Sequence, residues 1–93
     1  MSRLIRWTPA AASDLQPVSD YLSENHPQYR HPTLRKVYAA IQSLKDLPYR
    51  GRVGRQEGTR ELILSPLPYV AIYRVNDQSI EVLRIYHAGQ DRP

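Results

Sequence analysis

Cysteine is absent from the 93-residue chain, which excludes a disulfide framework and any thiolate metal site. No apolar run approaches the roughly 20 residues that a membrane-spanning helix needs, although hydrophobic residues make up 41% of the chain. The opening "MSRLIRWTPAAASDL" does not read as a secretory signal, because a proline and an aspartate interrupt it before an apolar stretch can form. Cytoplasm is therefore the expected location, with no membrane partner. Internal repeats and low-complexity segments are missing. The G-x-x-x-x-G-K-S/T phosphate loop is missing too; "GRVGRQEG" lacks its lysine and does not join a strand to a helix. No serine–histidine–acid spacing is present, and neither metal nor cofactor is expected.

Lysine is scarce: arginine outnumbers it eleven to two, and the net charge is +4. Arginine carries a planar fork that pairs bidentately with phosphate or carboxylate. The skew suits an acidic partner, either nucleic acid or an acidic protein segment. A chain of this length is one domain, residues 1–93. Its core is thin, because a small domain buries only about 60–65% of its unfolded surface.

Periodicity places the elements. Leu4–Trp7 reads as a short strand. Thr8 then Pro9 is a helix start, an N-cap hydroxyl followed by proline at the first helical position. Ala11, Leu15, Val18 and Leu22 recur at helical spacing, which predicts a helix over Pro9 to Asn25. Pro17 lies well past the first turn, so a kink is expected there, or a helix that begins near it. "ENHPQYRHP" reads as the connection. Leu34, Val37, Tyr38, Ile41 and Leu44 predict a second helix from Pro32 to Leu47, ended by Pro48. Three strands follow, Arg60–Leu64, Tyr69–Val75 and Ile80–Tyr86, separated by the turn sequences "SPLP" and "NDQS". The order β-α-α-β-β-β implies an α+β domain, an antiparallel sheet with a helical hairpin packed on one face.

A turn centred on Asp77 and Gln78 predicts the faces of the last hairpin. Val75 would oppose Ile80, Tyr73 Val82, Ala71 Arg84, and Tyr69 Tyr86. One face would then carry Tyr69, Ala71, Tyr73, Val82, Arg84 and Tyr86, a platform of rings around a guanidinium. The other would carry Val70, Ile72, Leu83 and Ile85, with an Arg74–Glu81 pair near the turn, and would pack on the helices. The register of residues 60–64 is not fixed by the loop containing Pro66 and Pro68.

Before the first of these strands, "GRVGRQEGTREL" sets three glycines and three arginines, Arg52, Arg55 and Arg60, into twelve positions. Glycine lets the backbone bend closely past the sheet. His26 and His31 have no carboxylate at metal spacing and read as surface residues. His87, at the end of the last strand, is placed to act as a general acid or base.

Four segments in order resemble the RelE/ParE superfamily of bacterial type II toxins. They are "WTPAAASDL", "LPYRGRVGRQEGTREL", "PYVAIYRV" and "IEVLRIYHAGQDRP". The resemblance implies a toxin neutralised by a cognate antitoxin whose toxin-binding segment is acidic and apolar. Arg52, Arg55, Arg60, Tyr69, Tyr73, Arg84 and Tyr86 are the residues expected to bind it. "PYVAIYRV" and "HAGQDRP" are similar to the ParE branch, which implies DNA gyrase as target and no nuclease chemistry. The alternative is the RelE branch, a ribosome-dependent mRNA endonuclease in which Arg60, Arg84 and His87 would be catalytic. Tyr69 stands where many ribonuclease members carry arginine, and only Arg50, Arg52 and Arg55 occupy their lysine-rich segment.

Overall fold

The computed structural model describes residues 3–89, so Gln90–Pro93 of the closing segment lie outside the described residues. The elements are β1 (Leu4–Trp7), α1 (Pro9–Asn25), α2 (Pro27–Gln42) with a 3₁₀ turn at Ser43–Lys45, β2 (Arg52–Val53), β3 (Arg60–Ile63), β4 (Tyr69–Val75) and β5 (Ser79–His87). They form an α+β fold with one five-stranded sheet, ordered β1-β5-β4-β3-β2. β2 to β5 are antiparallel neighbours, as the short turns require. β1 joins the far edge parallel to β5, so the sheet is mixed rather than wholly antiparallel. No helix among the described residues is long and apolar enough to cross a membrane.

α1 starts where its sequence signals put it. The Thr8 hydroxyl accepts from the Ala11 amide at 3.1 Å, with Pro9 at the first helical position. The helix runs continuously through Pro17. Proline there removes the donor that would serve the Ser13 carbonyl. Both residues are exposed, so water can serve it instead. The connection to α2 is shorter than the sequence suggests. His26 alone ends α1 and precedes α2, because Pro27 takes the first helical position and Pro32 falls inside the helix.

The core lies between the helices and one sheet face. Ala11, Leu15, Val37, Ile41 and Leu44 pack against Leu62, Leu64, Ala71, Tyr73, Ile80, Val82 and Ile85. This corrects the expected faces: Ala71, Tyr73 and Val82 belong to the helix-packing side, and Tyr73 has no exposed surface. The expected register holds for Val75↔Ile80, Arg74↔Glu81 and Tyr73↔Val82. It then slips by one, giving Ile72↔Arg84, Ala71↔Ile85, Val70↔Tyr86 and Tyr69↔His87. Leu83 is the extra residue of a β-bulge, so Arg84 and Tyr86 keep the open face and Ile85 the helix side as expected, while Val82 and the β4 residues Ala71 and Tyr73 lie on the helix side instead.

A buried tyrosine needs a partner for its hydroxyl. Tyr73 Oη accepts from the Gly51 amide at 2.9 Å and donates to the Pro48 carbonyl at 2.8 Å. The contact leaves room only for glycine, since a Cβ at position 51 would lie 2.7 Å from that oxygen. The entrance to the arginine-rich loop is thus pinned to the core. At its far end Gly58 has φ +79, the left-handed region that favours glycine.

Burial raises the Tyr73 phenol above its ordinary 10.0, opposed by the Gly51 hydrogen bond and by the Arg60 and Arg50 charges. A proton held more tightly by the folded chain stabilises it below pH 10, and the contribution disappears as pH rises through the folded value. Tyr73→Phe orphans two backbone groups, and is expected to cost about 1–3 kcal/mol at neutral pH. It should also remove part of the alkaline loss of stability. Urea unfolding at pH 7 and pH 11 checks both; an equal difference between the two proteins at both pH values contradicts the assignment.

Candidate functional site

Beyond Trp7 the edge of β5 is no longer covered by β1, and the start of α1 takes over. Thr8 donates its amide to the Val82 carbonyl at 3.0 Å and its hydroxyl to the Leu83 carbonyl at 2.8 Å. One residue therefore caps α1 and holds both carbonyls of the bulge. Two turns along, Asp14 Oδ2 accepts the Ile85 amide at 2.8 Å. A charged side chain at this place blunts an otherwise open strand edge.

Asp14 also fixes Arg84. Nε donates to Oδ2 at 2.9 Å and Nη2 to Oδ1 at 3.1 Å, a bidentate pair. Those hydrogen bonds, then the Asp14 charge, raise the Arg84 pKa above its ordinary value. The guanidinium carbon lies 5.2 Å from the centroid of the Tyr86 ring, inside the roughly 6 Å reach of a cation–π contact.

Around this pair lies a groove of about 620 Å³. α1 supplies Ser13, Asp14, Pro17, Val18 and Tyr21; the opposite wall is Pro68, Tyr69 and Arg84 to His87. His87 meets the edge of the Tyr69 ring at 5.7 Å, and its Nδ1 accepts the Gly89 amide at 3.2 Å. Burial, then the neighbouring Tyr21, raises the Tyr69 phenol above 10.0. A smaller cleft of about 190 Å³ lies on the open face of the sheet. It is lined by Ile72 and Leu83, by Arg55, Gln56 and Thr59 and by Glu61, and it shares Arg84 and Tyr86 with the groove.

The structure brings Tyr69, Arg84 and Tyr86 to one groove, joined there by His87, and leaves the rest of the expected site elsewhere. Tyr73 is in the core. Arg52 donates Nε and Nη2 to Glu61 Oε1, at 3.1 and 2.9 Å, and neutralises a buried carboxylate. Arg60 donates Nη1 to the carbonyls of Gly51, 2.7 Å, and Tyr49, 3.3 Å, with the Tyr49 ring 5.0 Å from its guanidinium carbon. Only Arg55 of the three is exposed without a hydrogen bond or ion pair among the described residues. The sequence reading missed the α1 wall. The signal was present: positions 13, 14, 17, 18 and 21 share a helix face next to the buried Ala11–Leu15 stripe.

Comparison with known proteins gives a consistent neighbourhood. The family described as ParE toxin of the type II toxin-antitoxin system, parDE, has a model that matches residues 5–92. Y4kP of Sinorhizobium fredii is 34% identical over 89 residues, 96% of this chain and 92% of the relative. Toxin RelE2 of Caulobacter vibrioides is also 34% identical, over 90% of this chain and 93% of its own length. Among solved structures, the chromosomal ParDE system of P. aeruginosa superposes with a TM-score of 0.82 at 27% identity, covering 92% of this chain and 96% of that one.

Asp14→Ala removes the acceptor for both the Ile85 amide and Arg84. It is expected to cost about 1–3 kcal/mol and to speed hydrogen exchange at Ile85. Urea unfolding and amide exchange by NMR read the two effects; unchanged exchange at Ile85 contradicts the edge-capping role.

Proposed function

The chain belongs to the ParE toxin family of type II toxin–antitoxin systems, and from that premise we propose a growth-inhibiting toxin that acts on DNA gyrase by binding and is held inactive by a cognate antitoxin. The observation that carries the binding reading is that the three groups a nuclease would need are not aimed at one point, although Arg84 and His87 line the same groove. Register puts Arg60 beside Tyr73 on the helix side of β3, already engaged by two carbonyls. Arg84 is saturated on two nitrogens by Asp14. His87 alternates to the face opposite Arg84, at the far end of β5. General acid–base catalysis requires such groups to converge on one proton within hydrogen-bond reach, and stabilisation of a phosphorane requires cations aimed at it.

The likeness to the P. aeruginosa ParDE structure supports the gyrase branch. The antitoxin reading is supported by that same system and by the groove, which combines apolar rings with a rigid polar pair. A groove of this shape suits an amphipathic segment that orders on binding.

Expression of the chain alone is expected to arrest growth, induce the DNA-damage response and leave mRNA intact. Purified gyrase should lose supercoiling activity when the toxin is added. Primer extension on mRNA in a translating extract is the counter-test: codon-phased cuts would overturn the gyrase reading and select the endonuclease. In that event His87→Ala should lower cleavage by roughly 10²–10⁴-fold.

A further inference from the structure

The two clefts that share Arg84 and Tyr86 differ in charge. In the groove, the carboxylate and the guanidinium are Asp14 and Arg84, and each neutralises the other. A partner carboxylate brought there would meet Asp14 beside Arg84 and gain little net attraction, while still losing its water. The surroundings, Val18, Tyr21, Tyr69 and Ile85, reward apolar surface instead. In the open-face cleft the balance is reversed. Glu61 is matched by Arg52, which leaves Arg55 exposed and uncommitted at the cleft wall.

Resting on the antitoxin reading above, we infer that one antitoxin segment spans both clefts in a fixed arrangement. Its apolar stretch fills the α1–β5 groove around the Asp14–Arg84 pair, and its acidic stretch crosses the β5 edge to Arg55. The shared rim makes the path continuous, and Asp14 occupies the Ile85 amide, so the segment passes this point by side-chain contact rather than by a ladder bond there. The division of labour follows. Groove burial sets the lifetime of the complex, while Arg55 at the solvent-exposed wall speeds encounter and carries the salt dependence.

The experiment uses the toxin chain with its cognate antitoxin. A photoreactive p-benzoylphenylalanine replaces Tyr21 in the groove or Gln56 at the open-face cleft, and cross-links are mapped by mass spectrometry. Position 21 is expected to capture the antitoxin's apolar stretch and position 56 its acidic stretch. In parallel, Arg55→Glu should slow association on the order of threefold or more at 0.01 M salt, with the difference shrinking at 0.15 M as the Debye length falls from about 30 to about 8 Å. Acidic residues captured at position 21, no capture at position 56, or an association rate indifferent to Arg55→Glu overturns the inference. A wild-type toxin that fails to bind this antitoxin sinks the antitoxin reading itself, which is a separate result.

Discussion

One extra residue in β5 governs the geometry of the site. With Leu83 inserted between Val82 and Arg84, the strand delivers Ile85 to the core and turns Arg84 and Tyr86 outward. A bulge leaves carbonyls without ladder partners, and these must be satisfied locally. Thr8 does this with its amide and hydroxyl, and the same oxygen caps α1. The start of the helix and the bend of the strand are therefore locked together. Asp14 reaches Arg84 and Ile85 because of that lock. Without it, the α1 wall and the β5 wall of the groove would have no fixed relation.

The arginine-rich loop plays a different part from the one its composition suggests. Arg52 neutralises buried Glu61, and Arg60 ties the chain at Tyr49 and Gly51 to β3. A buried carboxylate without a cation is costly, and Arg52 supplies one to Glu61. Tyr73 closes the arrangement from the core side. Much of the positive charge that composition assigns to a partner is thus spent within the chain. Arg55 is the exposed remainder at this loop.

The helices and strands were legible because periodicity and proline signals are local. Thr8–Pro9 marked the start of α1 to the residue, and the turn at Asp77–Gln78 set the first three pairs of the hairpin correctly. The bulge was not legible. Leu83 and Ile85 look alike to an alternation argument, and what selects the slip is a distant acceptor demand met by Thr8. Tyr73 was placed on an open platform because uninterrupted alternation set it on the face of Arg84 and Tyr86; its burial depends on two backbone groups some 22 and 25 residues away in sequence. The start of α2 was misplaced because Pro27 and Pro32 both fit a first helical position, and only packing chooses between them. Of the candidate site residues, Tyr69, Arg84 and Tyr86 line one groove, whereas the opposite wall of that groove, Asp14, Val18 and Tyr21, was read only as part of a helix.

That the α1–β5 groove is where the partner binds is the central claim, and hydrogen–deuterium exchange of the toxin with and without its antitoxin tests it most directly. Protection on binding is expected to be concentrated in peptides covering residues 13–21 and 83–88. Protection confined to the β2–β3 edge or to the tip of the helical hairpin, with both groove walls exchanging as in the free toxin, would contradict it.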